Sequence, residues 1–115
     1  MVVVKEKPGP DNESWEQHGW SALNVAKTEP GRIYVNMDSA DLKNYLVQCQ
    51  KRLRNLAEIL YKIGIYINAI ILNLELDQLQ STDKDKIFNI AINSFSKTLL
   101  PLYMDQQIQK LDEKE

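Results

Sequence analysis

The chain has 115 residues, of which 43% are hydrophobic and 26% charged, and this composition is ordinary for one soluble globular domain. Its formal net charge of −2 excludes a basic footprint over the whole surface, so any contact with nucleic acid has to come from a local patch. The single cysteine, Cys49, cannot form an internal disulfide. Its place in an apolar stripe favours a buried thiol over a reactive one or a disulfide between two copies.

The sequence predicts a cytoplasmic, intracellular protein without membrane contact. The apolar start, residues 1–4, meets charged residues at once and does not read as a secretory signal. The most apolar stretch, residues 63–76, includes Gly64, two asparagines and Glu75. It is shorter and more polar than the roughly 20 apolar residues of a membrane span.

Residues 1–19 are predicted to form an N-terminal arm, and residues 20–37 a β-hairpin with strands at 20–27 and 32–37. Alternation places Leu23 and Val25 on one face of the first strand, and leaves Tyr34 as a candidate for the outward face of the second. Pro30-Gly31 is typical of a type II turn, which predicts a loop of at least four residues, 28–31. Because an isolated hairpin is marginal in water, it needs a third strand, for which residues 2–6 are the candidate, or a partner chain.

Residues 38–80 predict one long helix that begins at Asp38 or Ser39 as its cap. From Leu42 to Leu74, apolar residues recur in alternating steps of four and three, which is the rhythm of a heptad repeat. Such a helix would be about 60 Å long, far longer than a compact domain of this size is wide. The predicted oligomer seam on this helix consists of Leu46, Cys49, Leu53, Leu56, Leu60, Ile63, Ile67, Ile70 and Leu74.

Residues 81–115 predict two shorter helices, divided near Pro101, that fold back as a helical hairpin. The second half of the long helix is apolar on all sides and must be enclosed, yet one chain is short of material to enclose it. We therefore expect a mainly helical α+β protein that forms a homo-oligomer, most simply a two-fold dimer. The alternative is a monomeric helical bundle with a bent long helix.

The residue pattern indicates no enzyme, no cofactor and no metal site. His18 is the single histidine and has no Cys, Asp or Glu partner at a recognised spacing. The four glycines are not clustered, so a phosphate-binding loop is not indicated.

A group of aromatic and basic residues at the N-terminal end is the candidate binding surface, for a protein or for single-stranded nucleic acid. Such binders stack bases on flat rings and hold phosphates with cations. The alternative is that the tryptophans pack in the core and the basic residues only solubilise the helix. The candidate residues are Trp15, His18, Trp20, Lys27, Arg32, Tyr34, Lys51, Arg52 and Arg54.

Residues 30–37, which lead into an amphipathic helix, resemble the strand-to-helix passage of a family of single-stranded-DNA-binding transcriptional coactivators. The resemblance covers about 25 residues. It implies dimerisation through the helix and DNA binding on the sheet, and assigns no binding residue here.

Two functional hypotheses follow. The first is a non-enzymatic, oligomeric interaction or regulatory protein, such as a small adaptor or inhibitor of viral or phage type, that docks a partner through the hairpin end. The second is a single-stranded nucleic-acid-binding protein that uses the aromatic and basic residues. A small-ligand pocket lined by tryptophans at the oligomer interface is a third option.

Overall fold

The computed structural model describes residues 3–5, 15, 23–29, 32–78 and 83–113. Three strands form one sheet: β1 (Val3–Lys5), β2 (Ala26–Glu29) and β3 (Arg32–Val35). β3 lies in the middle, parallel to β1 and antiparallel to β2. The mainly helical fold with an N-terminal hairpin is confirmed, and the third strand expected at residues 2–6 is present as β1.

The hairpin begins later and turns more tightly than the sequence predicts. Ala26 pairs with Val35 and Glu29 with Arg32, so only residues 30 and 31, which lie outside the described residues, separate the paired positions. The expected loop of four or more residues is therefore wrong. So is the shared face of Leu23 and Val25, because Leu23 is 78% exposed whereas Val25 is buried. The backbone N–H of Val25 donates to Asn93 rather than to another strand.

The middle strand is covered on both faces. Ile33, Tyr34 and Val35 are all buried, with Tyr34 only 3% exposed. The outward position considered for Tyr34 is therefore wrong. Alternation shows that Tyr34 lies opposite its neighbours, but it does not show that both faces are covered.

The predicted helix over residues 38–80 is divided into α1 (Ala40–Gln48) and α2 (Arg54–Leu76). Ser39 caps α1, since its hydroxyl oxygen accepts a hydrogen bond from the backbone N–H of Leu42 at 3.2 Å. Cys49 and Gln50 then have extended backbones, with ψ angles of 141° and 140°. A 3₁₀ turn, Lys51–Leu53, leads into α2.

α1 folds back along α2. The hydroxyl oxygens of Ser39 and Tyr61 lie 2.7 Å apart, whereas an uninterrupted helix would separate these residues by about 33 Å. The prediction of one continuous helix is therefore wrong, although α2 alone is a long helix of 23 residues. The tertiary contacts of α1 outweigh the heptad pattern.

Two further polar contacts fix α1 in this position. Tyr45 donates a hydrogen bond to Asp105 at 2.6 Å. The Ser96 hydroxyl donates to Asp41, and the ammonium of Lys97 lies 3.5 Å from the same carboxylate. α1 is thus tied to the C-terminal helices as well as to α2.

The C-terminal part forms the predicted helical hairpin, from α3 (Lys84–Lys97) and α4 (Leu99–Glu113). The chain turns at Thr98, whose hydroxyl donates to the carbonyl of Ser94 at 2.8 Å. Pro101 lies in the first turn of α4, where its missing N–H breaks no helical hydrogen bond.

The core lies between one face of the sheet, α2 and the C-terminal hairpin. A network of asparagines joins the sheet to α3 at its edge. Asn93 accepts from Val25 N–H at 3.0 Å and donates to the side chain of Asn24 at 3.1 Å, while buried Asn36 donates to the Asn24 carbonyl at 3.1 Å. The main core residues are Val25, Ile33, Val35, Leu42, Ala57, Tyr61, Ile65, Ala69, Phe88, Ile92, Leu100 and Met104.

Replacing Tyr61 with Phe tests the hydrogen bond that holds α1 against α2. We expect Tyr61→Phe to lower the free energy of unfolding by about 1 kcal/mol, because a buried hydroxyl pair is lost while the ring still packs. Urea denaturation measures the change. Tyr66→Phe, in the same helix, is the matched control and should change the free energy by only a few tenths of a kcal/mol. Equal effects of the two substitutions would contradict the role assigned to Tyr61.

The same tyrosine makes a pH-dependent contribution. Burial raises the pKa of Tyr61 to about 12; Asp41 adds to the rise, and hydrogen bonds with Ser39 and Ser96 oppose it. The phenol of an unfolded chain titrates near pH 10, so below about pH 10 it is neutral in both states and its contribution is complete. Between about pH 10 and 12 the unfolded state loses its proton first, and stability falls as pH rises. Denaturation across this range should show a steeper loss for the wild type than for Tyr61→Phe, and parallel curves would contradict the assignment.

Candidate interaction site

The aromatic residues proposed for binding are not together on the described surface. Trp15 is 5% exposed and Tyr34 3% exposed, so neither ring presents a face on which a base can stack. His18 and Trp20 lie outside the described residues.

The basic residues of the candidate surface form two separate groups. Arg32 is exposed on the sheet, where its guanidinium donates to the Tyr34 hydroxyl at 3.5 Å, and Lys27 is half-buried on the neighbouring strand. Lys51, Arg52 and Arg54 are exposed at the corner between α1 and α2. This corner follows the C-terminal end of α1, which is about 14 Å long. The two basic groups therefore lie on different elements, one on the sheet and one at the α1–α2 corner.

The predicted oligomer seam is divided by the fold. Leu53 is buried, and Leu46, Cys49, Leu60 and Ile70 pack against the core, with Leu56 half-buried. Ile63, Ile67 and Leu74 remain exposed. The division follows the faces of α2, because Ile70 packs against the core although Ile67 before it and Leu74 after it are exposed.

Within the single chain the second half of α2 is enclosed on one side only, and its enclosure by a second copy stays a prediction. The inner side is buried and includes the small residues Ala57 and Ala69. On the outer side four isoleucines recur every fourth residue, each between 48% and 51% exposed, and form one stripe. They are Ile59, Ile63, Ile67 and Ile71.

The first turns of α4 extend this stripe into a broader apolar surface. Leu99, Leu102 and Tyr103 are each about half exposed or more, although the sequence pattern did not mark them as functional. We define the α2–α4 face as Ile59, Ile63, Ile67, Ile71, Leu74, Leu99, Leu102 and Tyr103.

A groove of about 550 Å³ runs along the centre of the α2–α4 face, and Leu60, Phe95 and Leu100 also line it. The described residues of its lining include no charged side chain, and their polar groups are Asn68, Gln106 and the Tyr103 hydroxyl. Apolar side chains or an apolar molecule would fit such a lining.

Gly64 forms the floor of the groove, where α2 and α4 approach closely. A Cβ atom at this position would overlap a methyl group of Leu100, which is fully buried. A glycine inside an apolar helix can mark a kink or a close contact with another helix, and here Gly64 is a close contact between α2 and α4.

The stretch Lys51–Leu76 is long and apolar enough to cross a membrane by length and composition, and only 22% of its most apolar window is buried inside the protein. The isoleucine stripe belongs to the part of this stretch that is not buried.

Within the described ranges, no three His, Cys, Asp or Glu side chains come together as metal ligands. Comparison with family models, with curated proteins and with solved structures found no match for this chain.

Substituting Gly64 tests the close contact beneath the groove. In a helix interior Gly→Ala normally stabilises by about 1 kcal/mol, but here overpacking against Leu100 should cost about 1–3 kcal/mol. We therefore expect Gly64→Ala to lower the midpoint of urea denaturation. In a Leu100→Ala background, which makes room for the methyl group, Gly64→Ala should be neutral or stabilising. A stabilising effect in the wild type would show that the contact is not tight.

Proposed function

We propose that this chain is a non-enzymatic interaction protein that self-associates, with the α2–α4 face as its working surface. The observation that carries the proposal is the continuous apolar surface that α2 and α4 form and that no described element of the fold covers. An adaptor or inhibitor needs such a surface and no catalytic group.

The size of the face supports this function. Eight large side chains, each about half exposed or more, present several hundred Å² of apolar surface. The largest apolar patch of an ordinary monomer is about 300–600 Å² and is often functional. A stable protein interface buries about 800 Å² per partner, so the α2–α4 face with a rim of neighbouring residues is large enough for one.

The hairpin end supports partner binding less well than the sequence suggests. Two of its candidate rings, Trp15 and Tyr34, are buried, and the exposed Arg32 bonds to one of them. The exposed basic residues at the α1–α2 corner lie at the end of the isoleucine stripe instead. The α2–α4 face therefore supports self-association better than the hairpin end supports the docking of a partner.

A charged residue in the centre of the α2–α4 face should abolish self-association. We expect the wild type to give at least a dimeric mass in light scattering at micromolar concentration, and Ile67→Glu to give a monomeric mass, because burial of an unpaired carboxylate is strongly unfavourable. Circular dichroism should show that Ile67→Glu remains folded, since Ile67 is half exposed in the single chain.

Ile90→Glu is the matched control, because Ile90 is exposed on α3 and lies outside the α2–α4 face. It should retain the wild-type mass. A monomeric wild type at these concentrations would overturn the proposed function.

A further inference from the structure

We propose that the α2–α4 face binds a second copy of this chain, with the two α2 helices antiparallel about a two-fold axis level with Ile65. This inference rests on the proposed function and specifies its occupant and orientation. It makes the interface isologous, so that each copy contributes the same groove and the same stripe.

The isoleucines of the stripe have the same spacing in both directions along α2. Its positions 59, 63, 67 and 71 are symmetric about residue 65, and the next positions at four-residue spacing are Asn55 and Glu75, each ten residues from the centre. In an antiparallel pair Ile63 lies beside Ile67 of the second copy, and Ile59 beside its Ile71. Each isoleucine of the stripe then lies beside an isoleucine of the second copy, and neither helix has to shift along its axis.

The charges at the two ends of the stripe favour the antiparallel direction. The N-terminal end of α2 carries Lys51 and Arg54, and the C-terminal end carries Glu75 and Asp77, all exposed. An antiparallel pair places the basic end of one helix beside the acidic end of the other, whereas a parallel pair places like charges together. No ion pair among the described residues already uses Arg54 or Glu75, so both are available to a second copy. The opposed helix dipoles add to the preference.

The α4 residues complete the interface. Leu99, Leu102 and Tyr103 flank the stripe on one side, so the face of each copy is two helices wide. When two such faces meet, α2 and α4 of both copies form a four-helix arrangement in which the groove of each copy is filled. A lipid surface could cover the same apolar residues, but it has no counterpart for the opposite charges at the two ends.

Disulfide cross-linking between single cysteines tests the orientation. In a Cys49→Ala background, Asn55→Cys and Glu75→Cys are made on chains that carry tags of different mass. The reduced proteins are mixed, allowed to exchange and then oxidised. The antiparallel pair predicts a disulfide between the two variants in the mixture. Each variant alone should give almost none, because positions 55 of the two copies would lie about 30 Å apart.

The outcomes separate the two proposals. Efficient cross-linking of Asn55→Cys with itself would overturn the antiparallel orientation and leave self-association intact. Absence of every cross-link together with a monomeric mass would overturn both. A monomeric protein that co-sediments with phosphatidylcholine vesicles, and loses that binding on Ile67→Glu, would overturn the second copy in favour of lipid.

Charge reversal gives an independent test of the same geometry. Arg54→Glu and Glu75→Arg should each weaken dimerisation at low salt by about threefold to tenfold, and the double variant in one chain should recover most of the loss. Lys86→Glu, exposed on α3, is the control and should leave the dissociation constant unchanged. Additive losses in the double variant, measured by sedimentation equilibrium, would overturn the antiparallel pairing.

Discussion

The hydrogen bond between Ser39 and Tyr61 marks the constraint on which the rest of the structure depends. It joins the start of α1 to the middle of α2, and so requires the chain to reverse direction between them. The extended backbones of Cys49 and Gln50 provide that reversal. α1 then lies against the first part of α2. Its residues Tyr45 and Asp41 bond to Asp105 and Ser96, and these contacts hold the C-terminal hairpin against the same core. This contact places the start of α1 beside Tyr61, so α1 lies along the first part of α2 only.

Local sequence signals predict the elements better than their arrangement. Ser39 as a cap, the strand near residues 2–6 and the hairpin of α3 and α4 each follow from short-range chemistry, and the structure contains all three. The break after α1 has no such signal, because neither Cys49 nor Gln50 is a residue that normally ends a helix. It follows from contacts between residues far apart in sequence. The hydrogen bond from the Val25 N–H to Asn93, directly before β2, spans 68 positions and has no local signal either.

The candidate site is predictable in part, for the same reason. The heptad rhythm places Ile63, Ile67 and Leu74, which are exposed in the single chain, in the same seam as Leu53, which the fold buries. The four-residue spacing of the isoleucines indicates the exposed stripe more directly than the heptad does. Leu99 and Leu102 could not be added from sequence, because their place beside the stripe depends on the close approach of Gly64 to Leu100.

The exposed face is a consequence of chain length as well as of composition. α2 is about 34 Å long, whereas α1 is about 14 Å long and begins beside Tyr61, so α1 does not reach the second half of α2. The inner side of α2 is filled by the sheet and by the C-terminal hairpin, and no described element covers the outer side from Ile59 to Ile71. A second copy would cover this outer side. In an antiparallel pair it supplies a surface of the same length, with the same isoleucine spacing and with the charges at its two ends in the opposite order.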